Sequence, residues 1–383
     1  MPDRPVRILH AHSTFSLGGK EARAVRLMNA FGGAAEHTIW SAMPDRLSAR
    51  DAIAPGIKVH FPAGAPPLAG RPTPARLRRL AAFMRSFDLV LTYNWGAFDA
   101  VMARRLWGGP PLVHHEDGFN EDEAQRLKPA RNLYRRLGLP AAHALVVPSR
   151  RLEQIASARW GQKRGRLLRI PNGIPVGRFA SPPTRRILGL EEKSGLVVGT
   201  VAGLRAVKNL PRLVRAFAAA APPNSRLVIV GEGPERAKIE AEANRQGVAD
   251  RLILPGFMAD PAAWIGHFHV FALSSDSEQF PISLVEAMAA GLPCVSTDVG
   301  DVMEMVSPQN RFAIGDEAAL AVGLGRLLGD PALRRAVGDA NRRLAADGYD
   351  EAVMISRYAS LYGEAIGPLG ALSGGAGLDL AQP

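Results

Sequence analysis

The chain is short of the features that mark several common protein classes. Cysteine occurs once in 383 residues, at Cys294. One thiol excludes an internal disulfide framework and a cysteine-based metal cluster, and it fits a reducing compartment. No apolar run reaches the roughly 18 uninterrupted residues of a membrane-spanning helix. Met1-Pro2-Asp3-Arg4-Pro5 runs straight into a strand pattern without the apolar core of a secretory signal. Aromatic residues make up only 6% of the chain, and no interleaved aromatic-basic module for nucleic acid is visible. No internal repeat with a period of about 20–50 residues is present. Acidic residues are outnumbered, 36 against 47 Lys and Arg.

What is present is a hydrophobic fraction of 47% in a chain too long for one core and comfortable for two α/β domains. The net charge of +11 favours polyanionic partners: nucleic acid, anionic headgroups or diphosphate-bearing substrates. Much of the excess is arginine in the first half, through Arg76, Arg78, Arg79, Arg85, Arg104 and Arg105 to Arg126, Arg131, Arg135 and Arg136. Short β-type runs alternate with helical segments throughout, the pattern of parallel sheets with crossover helices. The expected strands are 6–12, 38–43, 58–61, 89–93, 112–115, 144–148 and 167–170. In the second half they are 196–202, 226–230, 251–254, 270–274, 293–297 and 311–314. Pro171-Asn172-Gly173-Ile174-Pro175, Ser181-Pro182-Pro183 and Glu191-Glu192-Lys193-Ser194-Gly195 mark a linker. The expected division is 1–178, 179–352, a helix over 353–366 that crosses back to the first domain, and a flexible tail over 367–383.

The most informative stretch follows the strand at 270–274. It reads Ser274-Ser275-Asp276-Ser277-Glu278-Gln279-Phe280-Pro281-Ile282-Ser283-Leu284-Val285-Glu286-Ala287-Met288-Ala289-Ala290-Gly291-Leu292-Pro293. A polar loop leads into a helical run that Gly291 and Pro293 terminate. Ligands of such strand–loop–helix units bind at the carboxyl ends of the strands. There the backbone N–H groups of Ser283 and Leu284 would face a phosphate. Glu278 and Glu286 bracket the site. Carboxylates repel phosphate, so their partners are hydroxyls, and the combination suits a sugar nucleotide. Either acid alone would pass for an ordinary surface residue.

Taken whole, the stretch resembles the Glu-x7-Glu signature of family 4 retaining glycosyltransferases. Glu278 and Glu286 match its two acids, and Leu284 through Gly291 match almost residue for residue. Gln279 and Pro281 stand where glycines are usual. The resemblance implies an α/β chain of GT-B type, two Rossmann-like parallel-sheet domains facing across a cleft. It implies transfer of a sugar from a nucleotide diphosphate sugar to a saccharide or polyprenyl-diphosphate-linked saccharide, retaining and without a metal or other cofactor. Glu278 would hold the donor sugar and Glu286 the nucleotide ribose, with Phe280, Pro281, Ile282, Ser283 and Leu284 lining the donor site.

Three further clusters fit this reading. Arg205 and Lys208, in Gly203-Leu204-Arg205-Ala206-Val207-Lys208-Asn209, follow a strand where two cations would neutralise a departing diphosphate. They resemble the family's R-x-x-K-N clamp, with Gly203 beside it. Gly18-Gly19-Lys20-Glu21 opens a helix after the first strand, where two glycines admit a phosphate or sugar. This resembles the G-G-x-E loop, and Asn172 joins the donor-site residues. Neither Gly18-Gly19 nor Gly231-Glu232-Gly233 carries the third glycine of a dinucleotide fingerprint, which disfavours hydride transfer. His114-His115-Glu116-Asp117 ends the fifth strand. Adjacent strand residues face opposite ways, so joint metal chelation is disfavoured there. A same-face pair is thin evidence for a metal at His10/His12 or His267/His269. By alignment on Pro111, Asp117 takes the place of the family's acceptor-side histidine, with His115 two residues earlier. Asp117 is either a base for the acceptor hydroxyl or a hydrogen-bonding anchor, and as a base on the far face it would admit inversion.

The stretch 131–137 reads either as an ordinary exposed helix face or as a basic amphipathic helix for anionic headgroups or a lipid diphosphate. The expected location is cytoplasmic, with peripheral attachment to the inner face of the cell membrane. The alternatives are a sugar-nucleotide epimerase of the same fold and a non-catalytic sugar- or polyanion-binding protein.

Overall fold

In the computed structural model, residues 4–119, 123, 126–163, 165–190 and 195–367 are described. The stretch 191–194 of the expected linker and the tail from 368 lie outside them.

Two units follow from the course of the chain, one of residues up to Pro171 and from Met354 onward, the other Asn172–Val353. In the first, β1 (Val6–His12), β2 (Ala35–Ser41), β3 (Val59–His60), β4 (Leu89–Tyr93), β5 (Leu112–His115), β6 (Ala144–Val147) and β7 (Leu167–Arg169) form a parallel sheet. Its order is β3-β2-β1-β4-β5-β6-β7. Helices α1 (Gly19–Phe31), α2 (Pro74–Met84), α3 (Phe98–Trp107), α4 (Pro129–Gly138) and α5 (Arg150–Trp160) connect the strands. Strands covered on both faces read as near-continuous apolar runs, and every residue of β4 is buried. Local chemistry sets the helix ends. Thr73 and Ser149 accept from the N–H groups of Arg76 and Leu152, while Gly161 leaves α5 at φ 66.

In the second unit, β8 (Val197–Val201), β9 (Arg226–Val230), β10 (Leu252–Gly256), β11 (Val270–Leu273), β12 (Cys294–Thr297) and β13 (Ile314–Gly315) pair in the order β10-β9-β8-β11-β12-β13. Around them lie α6 (Leu210–Ala220), α7 (Arg236–Arg245), α8 (Ile282–Ala289), α9 (Val302–Met305), α10 (Glu317–Gly329) and α11 (Pro331–Gly348). The expected last strand at 311–314 is displaced: 308–313 is a 3₁₀ turn, and pairing starts only at Ile314. Each sheet has the two-unit doubly wound form of a Rossmann domain. In each, chain order reverses beside its first strand, between β1 and β4 and between β8 and β11. Loops leaving those strands part there and leave room for a ligand.

By packing, the second unit begins at Asn172. Ile174, Val176 and Phe179 are buried with Trp264, Phe268, Leu284 and Met288 in the second unit's core. Ile174 also bridges Asp350, and the Ile174 N–H donates to the Tyr349 carbonyl at 2.9 Å. A Cβ on Gly173 would lie 2.7 Å from Glu351 Cα, so the pairing needs a glycine there. The last helix, α12 (Glu351–Ile366), places Met354, Tyr358, Leu361 and Tyr362 in the first unit's core beside Val6, Leu91 and Val113. Among the described residues, no helix is long and apolar enough to cross a membrane.

Candidate active site

The second unit gathers its candidate residues at the switch point. β8 and β11 are neighbours, so the loops leaving them run side by side and are stitched together. The Asp276 N–H donates to the Val207 carbonyl at 2.8 Å, and Ser274 Oγ donates to the Lys208 carbonyl at 3.0 Å. Asn209 ends the first loop at φ 41, a left-handed conformation that asparagine tolerates. Its amide donates to Asp276 at 3.1 Å.

This stitching brings Lys208 onto Glu278. Lys208 Nζ and Glu278 Oε1 form an ion pair, and Ser275 Oγ donates to the same Oε1 at 2.7 Å. The side chains of Lys208 and Glu278 keep only 17% and 12% of their exposure, so the pair is partly withdrawn from water. Ser275 is buried, with its carbonyl held by the Thr297 hydroxyl at 2.6 Å from the end of β12. Arg205 is exposed three residues before Lys208, and Gly203 is exposed at the mouth of the same loop. A depression of about 470 Å³, lined by Arg212, Ser275, Asp276, Thr297, Val299 and Glu317, opens beside the motif.

The start of α8 is less open than the spacing implies. The Leu284 N–H donates to the Pro281 carbonyl at 3.1 Å, so it is already engaged. Pro281 has no N–H and is buried. Ser283 stands at the second helical position, where intrahelical carbonyls are lacking, and is the better placed donor. Phe280 and Ile282 pack on the second unit's core, Phe280 edge-on to Tyr349 at 5.7 Å. Their side chains support the loop from below. Glu286 is half-buried in the second turn of α8, and Asn172 is buried at the unit's first residue. Gly300 was not singled out from sequence. At φ 58, a Cβ there would lie 2.7 Å from the Glu278 carbonyl and 2.9 Å from that of Gln279. A glycine soon after a strand was the available signal.

In the first unit, Gly18 caps α1 and Gly19 is its first residue. A Cβ on Gly18 would meet the Glu21 carboxylate at 3.0 Å. Glu21 is buried and paired with Lys20, and burial raises its pKa.

His115 and Asp117, at the end of β5, are both engaged within the first unit. His115 is 1% exposed. Its Nδ1 lies 3.1 Å from the Thr92 carbonyl, which can only accept, so Nδ1 carries the proton and Nε2 accepts from the Tyr362 hydroxyl at 2.8 Å. Burial holds the ring well below its ordinary pKa. It is a core histidine with both nitrogens engaged. Asp117 is clasped by Arg23, which reaches both carboxylate oxygens, one at 2.8 Å. Burial alone would lower the Arg23 pKa, but Asp117 raises it well above the usual value. Both oxygens of the Asp117 carboxylate are thus taken up by the Arg23 guanidinium, which makes it an anchor within the first unit. Arg23 went unnoticed because an arginine in a helical run gives no sign of pointing inward.

The basic stretch on α4 is also divided. Arg135 is buried between Glu116 and Glu123, at 3.1 and 3.4 Å, with Trp95 and Trp160 against its guanidinium at 5.0 and 4.9 Å. Arg131 pairs with Glu123 at 2.9 Å. Arg136 remains exposed, with Leu133 and Leu137 at 58% and 55% exposure. Among the described residues, no three His, Cys, Asp or Glu side chains stand together as metal ligands.

Comparison with known proteins agrees with the build of both units. Residues 17–178 match the family described as Glycosyltransferase Family 4, and residues 183–344 match Glycosyl transferases group 1. The chain thus has the paired domains and the GT-B fold of glycosyltransferases. It is 29% identical over 351 residues to a D-inositol 3-phosphate glycosyltransferase of Xylanimonas cellulosilytica, covering 80% of this chain and 82% of that one. It is 30% identical over 246 residues to an exopolysaccharide phosphotransferase of Streptomyces coelicolor, covering 60% of this chain and 24% of that one. The chain therefore spans about a quarter of that relative. In fold it is similar to HepE of Anabaena in complex with UDP, with a TM-score of 0.76 at 20% identity, covering 94% of this chain and all of that one.

Proposed function

We propose that the protein transfers a sugar from a nucleotide diphosphate sugar to a saccharide or polyprenyl-diphosphate-linked saccharide in cell-surface or exopolysaccharide synthesis. The observation that carries this reading is the convergence of Lys208, Glu278 and Ser275 at the second unit's switch point, with Arg205 on the same loop. Lys208 and Arg205 would bind the diphosphate and stabilise it as negative charge grows on the leaving group. The two cations supply that stabilisation without a metal. Glu278 would accept hydroxyls of the donor sugar, Glu286 those of the ribose, and the Ser283 N–H would meet a phosphate oxygen. HepE of Anabaena, similar in fold, has been solved in complex with UDP and with UDP-glucose, which supports a nucleotide-sugar donor.

The engagement of Asp117 by Arg23 supports the retaining course, since it takes away the candidate base for inversion. The Gly18-Gly19 turn and the Asp117 anchor would serve substrate binding in the first unit. Leu133, Leu137 and Arg136 on α4 support a peripheral station on the inner face of the cell membrane.

The test is a thermal-shift screen against UDP, GDP, ADP and their sugar conjugates, with and without magnesium. A ligand that binds only the folded chain raises its melting temperature. A shift with one nucleotide, independent of magnesium, identifies the base. Turnover of its conjugate without an acceptor would favour an epimerase, and no shift at all would favour a binding protein.

A further inference from the structure

Lys208 cannot hold a diphosphate while it is paired with Glu278, and Glu278 cannot serve a sugar while it neutralises Lys208. Resting on the donor-site reading above, we propose that Ser275 is a positioning residue for an exchange between these partners. It keeps Glu278 against Lys208 while the site is empty, and it retains the carboxylate when an arriving nucleoside diphosphate takes the lysine.

The geometry favours this order. Ser275 is 1% exposed and its carbonyl is anchored by Thr297 at 2.6 Å, so its hydroxyl is a fixed donor. Lys208 sits on a four-carbon stem with rotatable donors and can turn. Both contacts converge on Glu278 Oε1, and Oε2 takes no hydrogen bond among the described residues. A diphosphate offers more charge and more acceptor oxygens than one carboxylate, so it competes well for the lysine. Glu278 is then a partly buried anion with one hydrogen bond, an unfavourable state. Sugar hydroxyls donating to Oε2 relieve it. Bare diphosphate meets that penalty in full, whereas a sugar conjugate does not. The site would therefore discriminate between intact donor and spent nucleotide by the same carboxylate that holds the sugar.

The test is calorimetric titration of wild type, Glu278→Gln, Ser275→Ala and Ser275→Thr with UDP and UDP-glucose, or with the GDP or ADP pair if the wild type selects one of those. For Glu278→Gln, affinity for the bare diphosphate should rise about three- to tenfold, and the preference for the sugar conjugate should shrink. Ser275→Ala leaves the negative charge in place, so it separates exchange from simple loss of repulsion. With no hydroxyl left to hold the stranded carboxylate, it should bind the diphosphate and the conjugate more weakly, and Ser275→Thr should restore both. Diphosphate affinity unchanged or weakened in Glu278→Gln, or unchanged or raised in Ser275→Ala, would overturn this proposal alone. A wild type that binds none of the three nucleoside diphosphates would overturn the donor-site reading, and this proposal with it.

Discussion

Asn94 Oδ1 accepts the backbone N–H of Asp117 at 2.7 Å, and Asn94 does so from a left-handed backbone with φ 55. Its own N–H donates to the His115 carbonyl at 2.8 Å. The end of β4 thus fixes the end of β5 and holds Asp117 for Arg23. Residues kept in sparsely populated backbone regions cluster where geometry matters more than ease of folding.

Asp117→Asn should act on stability before it acts on chemistry. It leaves the buried Arg23 with a neutral partner, a loss of about 3–5 kcal/mol for a broken buried pair. Urea unfolding should show a clear fall in midpoint. A variant as stable as wild type but with kcat reduced a hundredfold would restore Asp117 as a base.

Lys208→Ala should reduce kcat for sugar transfer by about 100–1000-fold, the usual cost of removing one preorganised charge stabiliser. The fold should survive, because Lys208 lies on a loop and its partner Glu278 keeps the Ser275 hydroxyl. Near-normal turnover with a folded variant would remove Lys208 from the diphosphate site.

Acid should destabilise the first unit through its histidines. Burial lowers the pKa values of His10, His12 and His115, and takes His37 to about 4. These rings are neutral when folded, and the unfolded chain takes up protons near pH 6.5. Their contribution is therefore complete above about pH 6.5 and lost as pH falls towards the folded values. Melting temperature followed from about pH 7.5 to about pH 5 should decline, and His37→Asn should flatten the slope. A flat profile in the wild type would contradict this.

The arginines of α4 should separate by role. Arg135→Met strands Glu116 in the core, while Glu123 keeps Arg131, and should cost about 3–5 kcal/mol. Leu133→Asp with Leu137→Asp should leave stability within about 0.5 kcal/mol, as exposed substitutions do, while reducing co-sedimentation with vesicles rich in anionic lipid. Equal sedimentation of the double variant and wild type would exclude α4 from membrane contact.

Strand placement was largely legible in sequence because buried parallel strands announce themselves as short apolar runs between helices. β1, β4, β5 and β9 begin and end where the residues imply. The last strand escaped because Phe312 and Ala313 are apolar for packing while their backbone turns as a 3₁₀ segment. The motif placed Lys208 and Glu278 in one neighbourhood, but spacing carries no information on which side chains pair in an empty site. His115 misled because a polar residue at a strand end looks the same whether water or Tyr362 covers it. The partner that decides the matter comes from α12.

That partner has a temporal consequence. Tyr362 lies 247 positions after His115, and Tyr358 and Met354 fill the same cluster. The first unit cannot close its own core until the second has been made, since its last wall follows residue 353 in the chain. An amino-terminal fragment ending near Pro171 would expose Tyr93, His115 and Val113 where α12 should lie. The half that emerges first is therefore the half that finishes folding last.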